Sequence, residues 1–176
     1  DPLREAYGDA MASPGTWAAK AVEFGADLIY LRLAGAHPDA GNRSADECAA
    51  SVKEVLEAVE VPLAVVGCGI DDKDNEILPT VSSAAKGENC MIGMAREKNY
   101  RTLVAVCLAD GHKLIAESPC DINIAKQVNI LLQDAGFKLD DVVMCQVTAA
   151  LGYGFDYVYT IFERVRIAGL KGDKHM

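Results

Sequence analysis

Apolar residues in this chain come in blocks. Short runs rich in β-branched and apolar side chains, at residues 27–33, 61–66, 89–94, 112–116 and 139–147, are each followed by a longer stretch with apolar positions at helical spacing. A run of four to eight such residues between turn signals reads as a buried strand, and a period near 3.6 reads as a helix packed on one face. The pattern predicts a helix over 16–24 and then strand, turn and helix repeated five times. Residues 61–66 are apolar throughout, as a parallel strand covered on both faces requires.

Turn chemistry punctuates the blocks. Gly25 and Gly136 stand where helices stop, and Ser44 with Glu47 three residues on forms a capping box for a helix reaching 59. Residues 1–15, with Pro2, Gly8 and Ser13-Pro14-Gly15, read as loop. Acidic residues 71–74 read as a loop before a helix over 75–85 that Pro79 cuts or kinks. Asp110-Gly111 breaks a helix over 100–108, and a long helix follows the fourth strand to 135. The last helix, 155–170, is expected to bury a stripe of Tyr157, Ile161, Val165 and Ala168.

Strands recur roughly every 24 to 35 residues, the βα period, and right-handed crossovers place the helices outside the sheet. The fold class is therefore α/β with parallel βα repeats and about five strands. Five do not close a (β/α)8 barrel, which typically takes ~250 residues. The sheet is either open or part of a longer barrel, and residues 1–176 are expected to form a single βα-repeat domain that is an internal piece of such a barrel.

With 176 residues and 51% hydrophobic composition, the chain has material for one sizeable core. A net charge of −9 argues against nucleic acid or an anionic membrane as partner. No apolar run approaches the ~20 residues that span a bilayer, and the first residues lack the basic start and apolar middle of an export signal, so a cytoplasmic location is expected. The six cysteines lie singly, with no C-x-x-C pair and no paired His, which is not a zinc or Fe–S ligand set. Reduced thiols and no metal site are expected.

Ligands of parallel α/β folds sit beyond the carboxyl ends of strands. Those corners contain no G-x-S-x-G, no Walker A, no G-x-G-x-x-G and no H-E-x-x-H. They hold Gly67, Cys68 and Gly69 after the second strand, Asp121 and Asn123 after the fourth, and Thr148, Leu151, Gly152, Tyr153 and Gly154 after the fifth. Asp121 reads equally as the cap of the helix behind it. Tyr153, between two glycines, either stacks on a ligand or packs on the chain's own core. His37, His112 and His175 have no carboxylate orienter nearby in sequence. Glycines with small and apolar residues describe a surface for a large flat ligand or a partner, with chemistry carried by a cofactor and no catalytic residue on this chain.

The same residues carry a resemblance. Residues 17–21 with 24–31, then Val65-Val66-Gly67-Cys68-Gly69, Cys120-Asp121-Ile122-Asn123, Leu151-Gly152-Tyr153-Gly154 and residues 163–166 with 171–173 resemble the small (delta) subunit of the corrinoid iron-sulfur protein. The resemblance extends over essentially the whole chain. It implies a (β/α)8 TIM barrel paired as a heterodimer with a large subunit that holds the [4Fe-4S] cluster, and a corrinoid (cobalamin) at the subunit interface facing the residues named above. It also implies methyl transfer from methyltetrahydrofolate or a tetrahydropterin, through a methyltransferase, to acetyl-CoA synthase in the carbon-fixing acetyl-CoA pathway. Ala34, Met94, Cys145 and Gln146 depart from the family's usual Asp, Asn and Asp-Pro at those strand ends, which removes polar groups from the implied ligand face. The alternatives are a pterin-dependent methyltransferase and a ligand-free structural barrel fragment. A lone partial barrel would expose sheet edges, so it needs extra residues, a partner or self-association as a homo-oligomer.

Overall fold

The computed structural model of the chain describes residues 1–148 and 150–176. Two helices, α1 (Pro2–Tyr7) and α2 (Pro14–Glu23), precede β1 (Ile29–Arg32). Then come α3 (Ala45–Ala58), β2 (Leu63–Val66), α4 (Asp71–Ala84), β3 (Met91–Ala95) and α5 (Tyr100–Asp110). The chain continues through β4 (Lys113–Ser118), α6 (Ile122–Asp134), β5 (Val142–Gln146) and α7 (Phe155–Leu170).

All four strand pairs are parallel and the spatial order is β1-β2-β3-β4-β5. Each crossover therefore advances one strand in the same direction. With a constant hand this puts every connecting helix on one face. The packing agrees. Ile29, Leu31, Leu63, Val65, Ile92, Leu114 and Ala116 join the helices in the main core, while Ala64, Val66 and Ile115 form a separate cluster with Met91, Met94 and Cys145. A doubly wound sheet would have helices on both faces. This singly wound, open parallel sheet is consistent with an incomplete barrel, its second face being the inner wall.

Several boundaries differ from those read off the sequence. Residues 1–15 are not loop: Asp1 caps α1 by accepting from Leu3 N at 3.0 Å, Pro2 opens it, and residues Gly8–Ala12 follow as a 3-10 helix. Tyr7 meets Trp17 and Phe24 edge-on, ring centroids 6.0 and 5.3 Å away, which anchors the segment. Helix α2 starts at Pro14 instead of 16, with Ser13 as its cap. Helix α4 absorbs the acidic residues, whose carboxylates suit the positive end of the helix. Pro79 sits inside it without ending it, because Ile77, Leu78 and Val81 are fully buried. On α7 the buried residues are Val158 and Ile161, while Tyr157 is 61% exposed, so the stripe runs through 158 instead of 157.

The amino-terminal side of the sheet is held by a polar cluster. Ser82 Oγ donates to Asp110 Oδ2 at 2.7 Å, and Lys86 Nζ lies 3.4 Å from Oδ1. His112 Nδ1 accepts from Cys90 N at 3.2 Å, so Nε2 carries the proton and donates to Ser82 O at 3.0 Å. The Ser82 hydrogen bond, and then Lys86, hold the Asp110 carboxyl below its ordinary range against the effect of burial. A carboxyl depressed by folding adds stability above its unfolded pKa, about 3.9, and loses that contribution as pH falls through the folded value. Ser82→Ala is therefore expected to cost about 1–2 kcal/mol at neutral pH. The gap from wild type should narrow below about pH 4 in paired denaturant titrations.

Candidate functional site at the carboxyl rim

Parallel pairing brings the carboxyl ends of all five strands to one rim. Arg32 pairs with Val66, Val66 with Gly93, Gly93 with Ile115, and Ser118 with Gln146. Most charged groups there are committed to one another. Arg96, just past β3, donates from Nε and Nη2 to the two oxygens of Glu117 at 2.8 and 3.0 Å, and from Nη1 to Asp71 Oδ1 at 2.9 Å. Those bonds, Glu117 first, raise the Arg96 pKa and keep it charged despite partial burial. Its loop is pinned by Asn99, which accepts from Arg96 N at 2.7 Å and donates to Met94 O at 2.9 Å.

The corner after β2 is folded onto its own side chain. Asp74, 1% exposed, accepts from Cys68 N at 2.7 Å and from Gly69 N at 3.2 Å. A Cβ on Gly67 would overlap the Asp74 carboxylate. The glycine permits a close backbone approach, and what approaches is a residue of the same chain. Burial pushes the Cys68 thiol above its ordinary pKa.

The corners after β4 and β5 are joined. Ser118 Oγ donates to Gln146 Oε1 and Val147 N donates to Ser118 O, both at 2.8 Å, and Cys120 Sγ lies 2.8 Å from Val147 O. Asp121 caps α6, its Oδ1 accepting from Asn123 N at 2.7 Å and Ile124 N at 3.3 Å, so the helix-cap alternative is the one observed. Asn123, Thr148, Leu151, Gly152, Tyr153 and Gly154 are exposed at this corner. Tyr153 is 73% exposed and does not pack on the core among the described residues. Gly152 and Gly154 have φ of 94° and 106°, the left-handed region that glycine adopts without strain. Ala149 of the same motif lies outside the described residues.

Sequence reasoning did not single out Tyr30, Arg32, Asp74, Arg96 or Glu117. A usable signal existed for three of them: Tyr30 and Arg32, two apart in β1, and Glu117 in β4 are polar residues alternating with apolar ones that face the helices. Burial first, and then Cys145, raise the Tyr30 phenol pKa. Tyr30 and Cys145 stand on the two edge strands, β1 and β5. Burial and then Glu117 likewise raise the Cys145 thiol.

Burial drives the Cys90 thiol to about 11 and the Cys107 thiol to about 12, whereas Cys120 is exposed. A thiol reagent should therefore label Cys120 in the native protein and reach Cys90 and Cys107 only on unfolding, as peptide mass spectrometry would show.

Singly wound βα units on an open parallel sheet define an α/β protein, an arrangement consistent with an incomplete barrel. The chain belongs to the CO dehydrogenase/acetyl-CoA synthase delta subunit family, which it matches over residues 1–176. It is 38% identical to the acetyl-CoA decarbonylase/synthase complex subunit delta of Methanothermobacter thermautotrophicus, covering 99% of this chain and 46% of that protein. It is also 38% identical to subunit delta 1 of Methanosarcina thermophila, over 99% of this chain and 41% of the relative. Subunit delta of Methanopyrus kandleri is 32% identical over 99% and 44%. The chain thus spans less than half the length of these relatives. Among the described residues, no helix is long and apolar enough to cross a membrane.

Proposed function

We propose that this chain acts as a barrel subunit of a corrinoid iron-sulfur methyl carrier in the cytoplasm. In this reading its carboxyl rim lies against a corrinoid at the interface with the large subunit, which holds the [4Fe-4S] cluster. The carrier takes a methyl group from methyltetrahydrofolate or a tetrahydropterin by way of a methyltransferase and passes it to acetyl-CoA synthase. The observation that carries this reading is the family match over the whole chain, read together with the rim.

The rim suits such a group. A Cβ on Gly152 would meet nothing within 4 Å, so the corner after β5 is open enough for a large flat ring. Leu151 and Tyr153 offer apolar surface there, and Asn123 and Thr148 offer amide and hydroxyl groups for a ligand edged with amides. The corrinoid supplies the methyl-accepting metal. Asp71, Asp74, Arg96 and Glu117 support the wall, since their charges are spent on one another and on backbone amides.

Coexpression with the large subunit tests the reading. Copurification with a corrinoid absorbance that changes when this chain is present is the expected result. A chain that neither binds the large subunit nor alters the cobalt spectrum would contradict it.

A further inference from the structure

Helix α7 buries Val158 and Ile161 and turns a second apolar stripe to water. Phe155, Tyr159, Phe162, Arg166 and Leu170 follow one another at intervals of three or four residues, so they share one face, about a third of a turn from the buried pair. The three aromatics and Leu170 are each more than half exposed. Such a period marks a helix face packed against another element, and a soluble protein rarely leaves an apolar patch of this kind uncovered unless a partner takes it.

The stripe is complementary to a reversed copy of itself. Laid antiparallel with Tyr159 against the partner's Phe162, it sets Phe155 against the partner's Arg166, and a two-fold axis repeats both contacts. Arg166 then meets an aromatic face and stands beside the partner's Asp156, an exposed carboxylate in the first turn of the helix. Antiparallel helices also bring opposite ends of their dipoles together. Parallel packing would set Arg166 beside Arg166 and Asp156 beside Asp156, so charge selects the antiparallel direction.

We propose that α7 is a self-association surface that joins two copies of this chain as an antiparallel helix pair about a two-fold axis. The helix has 16 residues and is about 24 Å long. Its three aromatics and Leu170, covered on both copies, would bury on the order of 1,000 Å², the low end for a specific interface. The dimer is therefore reversible and depends on concentration. A helix face makes this contact and the edges of β1 and β5 take no part in it. The inference stands without the methyl-carrier reading.

Sedimentation velocity of the full chain over a range of concentrations is the test. A monomer–dimer equilibrium is expected, weakened about tenfold or more by Phe162→Asp. Arg166→Asp should weaken it too, and adding Asp156→Arg to that variant should recover it at least in part, because the two charges are then exchanged. All three positions are exposed, so thermal melting should confirm that each variant stays folded. A monomer at every concentration, or a dimer unmoved by Phe162→Asp, would overturn the proposal. A dimer broken instead by Tyr30→Asp or Val143→Asp would place the contact at the sheet edges and overturn it equally. Failure of the charge exchange to recover any association would overturn the antiparallel pairing. The coexpression result with the large subunit is read separately from all of these.

Discussion

Asp74→Ala is expected to destabilise the chain by about 2–4 kcal/mol, the largest effect of any single side chain at the rim. Among the described residues the carboxylate is the sole side-chain partner of Cys68 N and Gly69 N, and Cys68 is only 3% exposed. Truncation leaves the Cys68 N–H buried and unsatisfied, which costs more than the net value of the bond itself, while the Gly69 N–H is exposed. Gly67→Ala should be comparably damaging for a steric reason, since its Cβ would enter the space the carboxylate fills. The two mutations act on one contact. Their combination should therefore cost clearly less than the sum, because Asp74→Ala empties the site the new methyl needs. Urea titrations of the two single variants and the double variant close that cycle, and strict additivity would show that the turn is not organised around Asp74.

Glu117→Ala ranks second, with an expected loss of about 1–3 kcal/mol. The Arg96–Glu117 pair is bidentate, and its side chains are 28% and 17% exposed, so its value lies between a surface pair and a buried one. Removing Glu117 also leaves Arg96 with Asp71 alone, and the strap linking β3, β4 and α4 is halved. A second readout separates electrostatics from packing. Glu117 helps raise the Cys145 thiol pKa, so Glu117→Gln, which keeps the shape, should make Cys145 more acidic. Alkylation of Cys145 at a fixed mildly alkaline pH should then be faster than in wild type. An unchanged rate would mean that Glu117 does not act on the inner wall.

Much of the architecture was readable from local rules. β2 reads as apolar throughout and is buried throughout. The capping box at Ser44 and Glu47 is present in both directions, Gly111 ends α5 in the left-handed region, and α7 spans the residues expected of it. Features that depend on distant partners were hidden. Nothing near Tyr7 in sequence announces its rings at Trp17 and Phe24, and Arg96 meets Glu117 21 positions away and Asp71 25 positions away.

The rim shows the same division. Gly67 signalled close approach of backbone to another group, but only the fold identifies that group as Asp74. On α7, Tyr157 and Val158 differ by one position on a helix, about 100° of rotation, so either stripe fits an apolar period. Tyrosine exposes readily because its hydroxyl end favours water, and valine takes the core.

Hydrogen exchange of this chain, with and without the large subunit proposed as its partner, tests the central claim most directly. Protection gained at residues 67–70, 118–124, 147–148 and 150–154 is the predicted result, because those residues lie at the carboxyl rim. Protection confined to residues 86–90 and 110–112, at the opposite end of the strands, would contradict it.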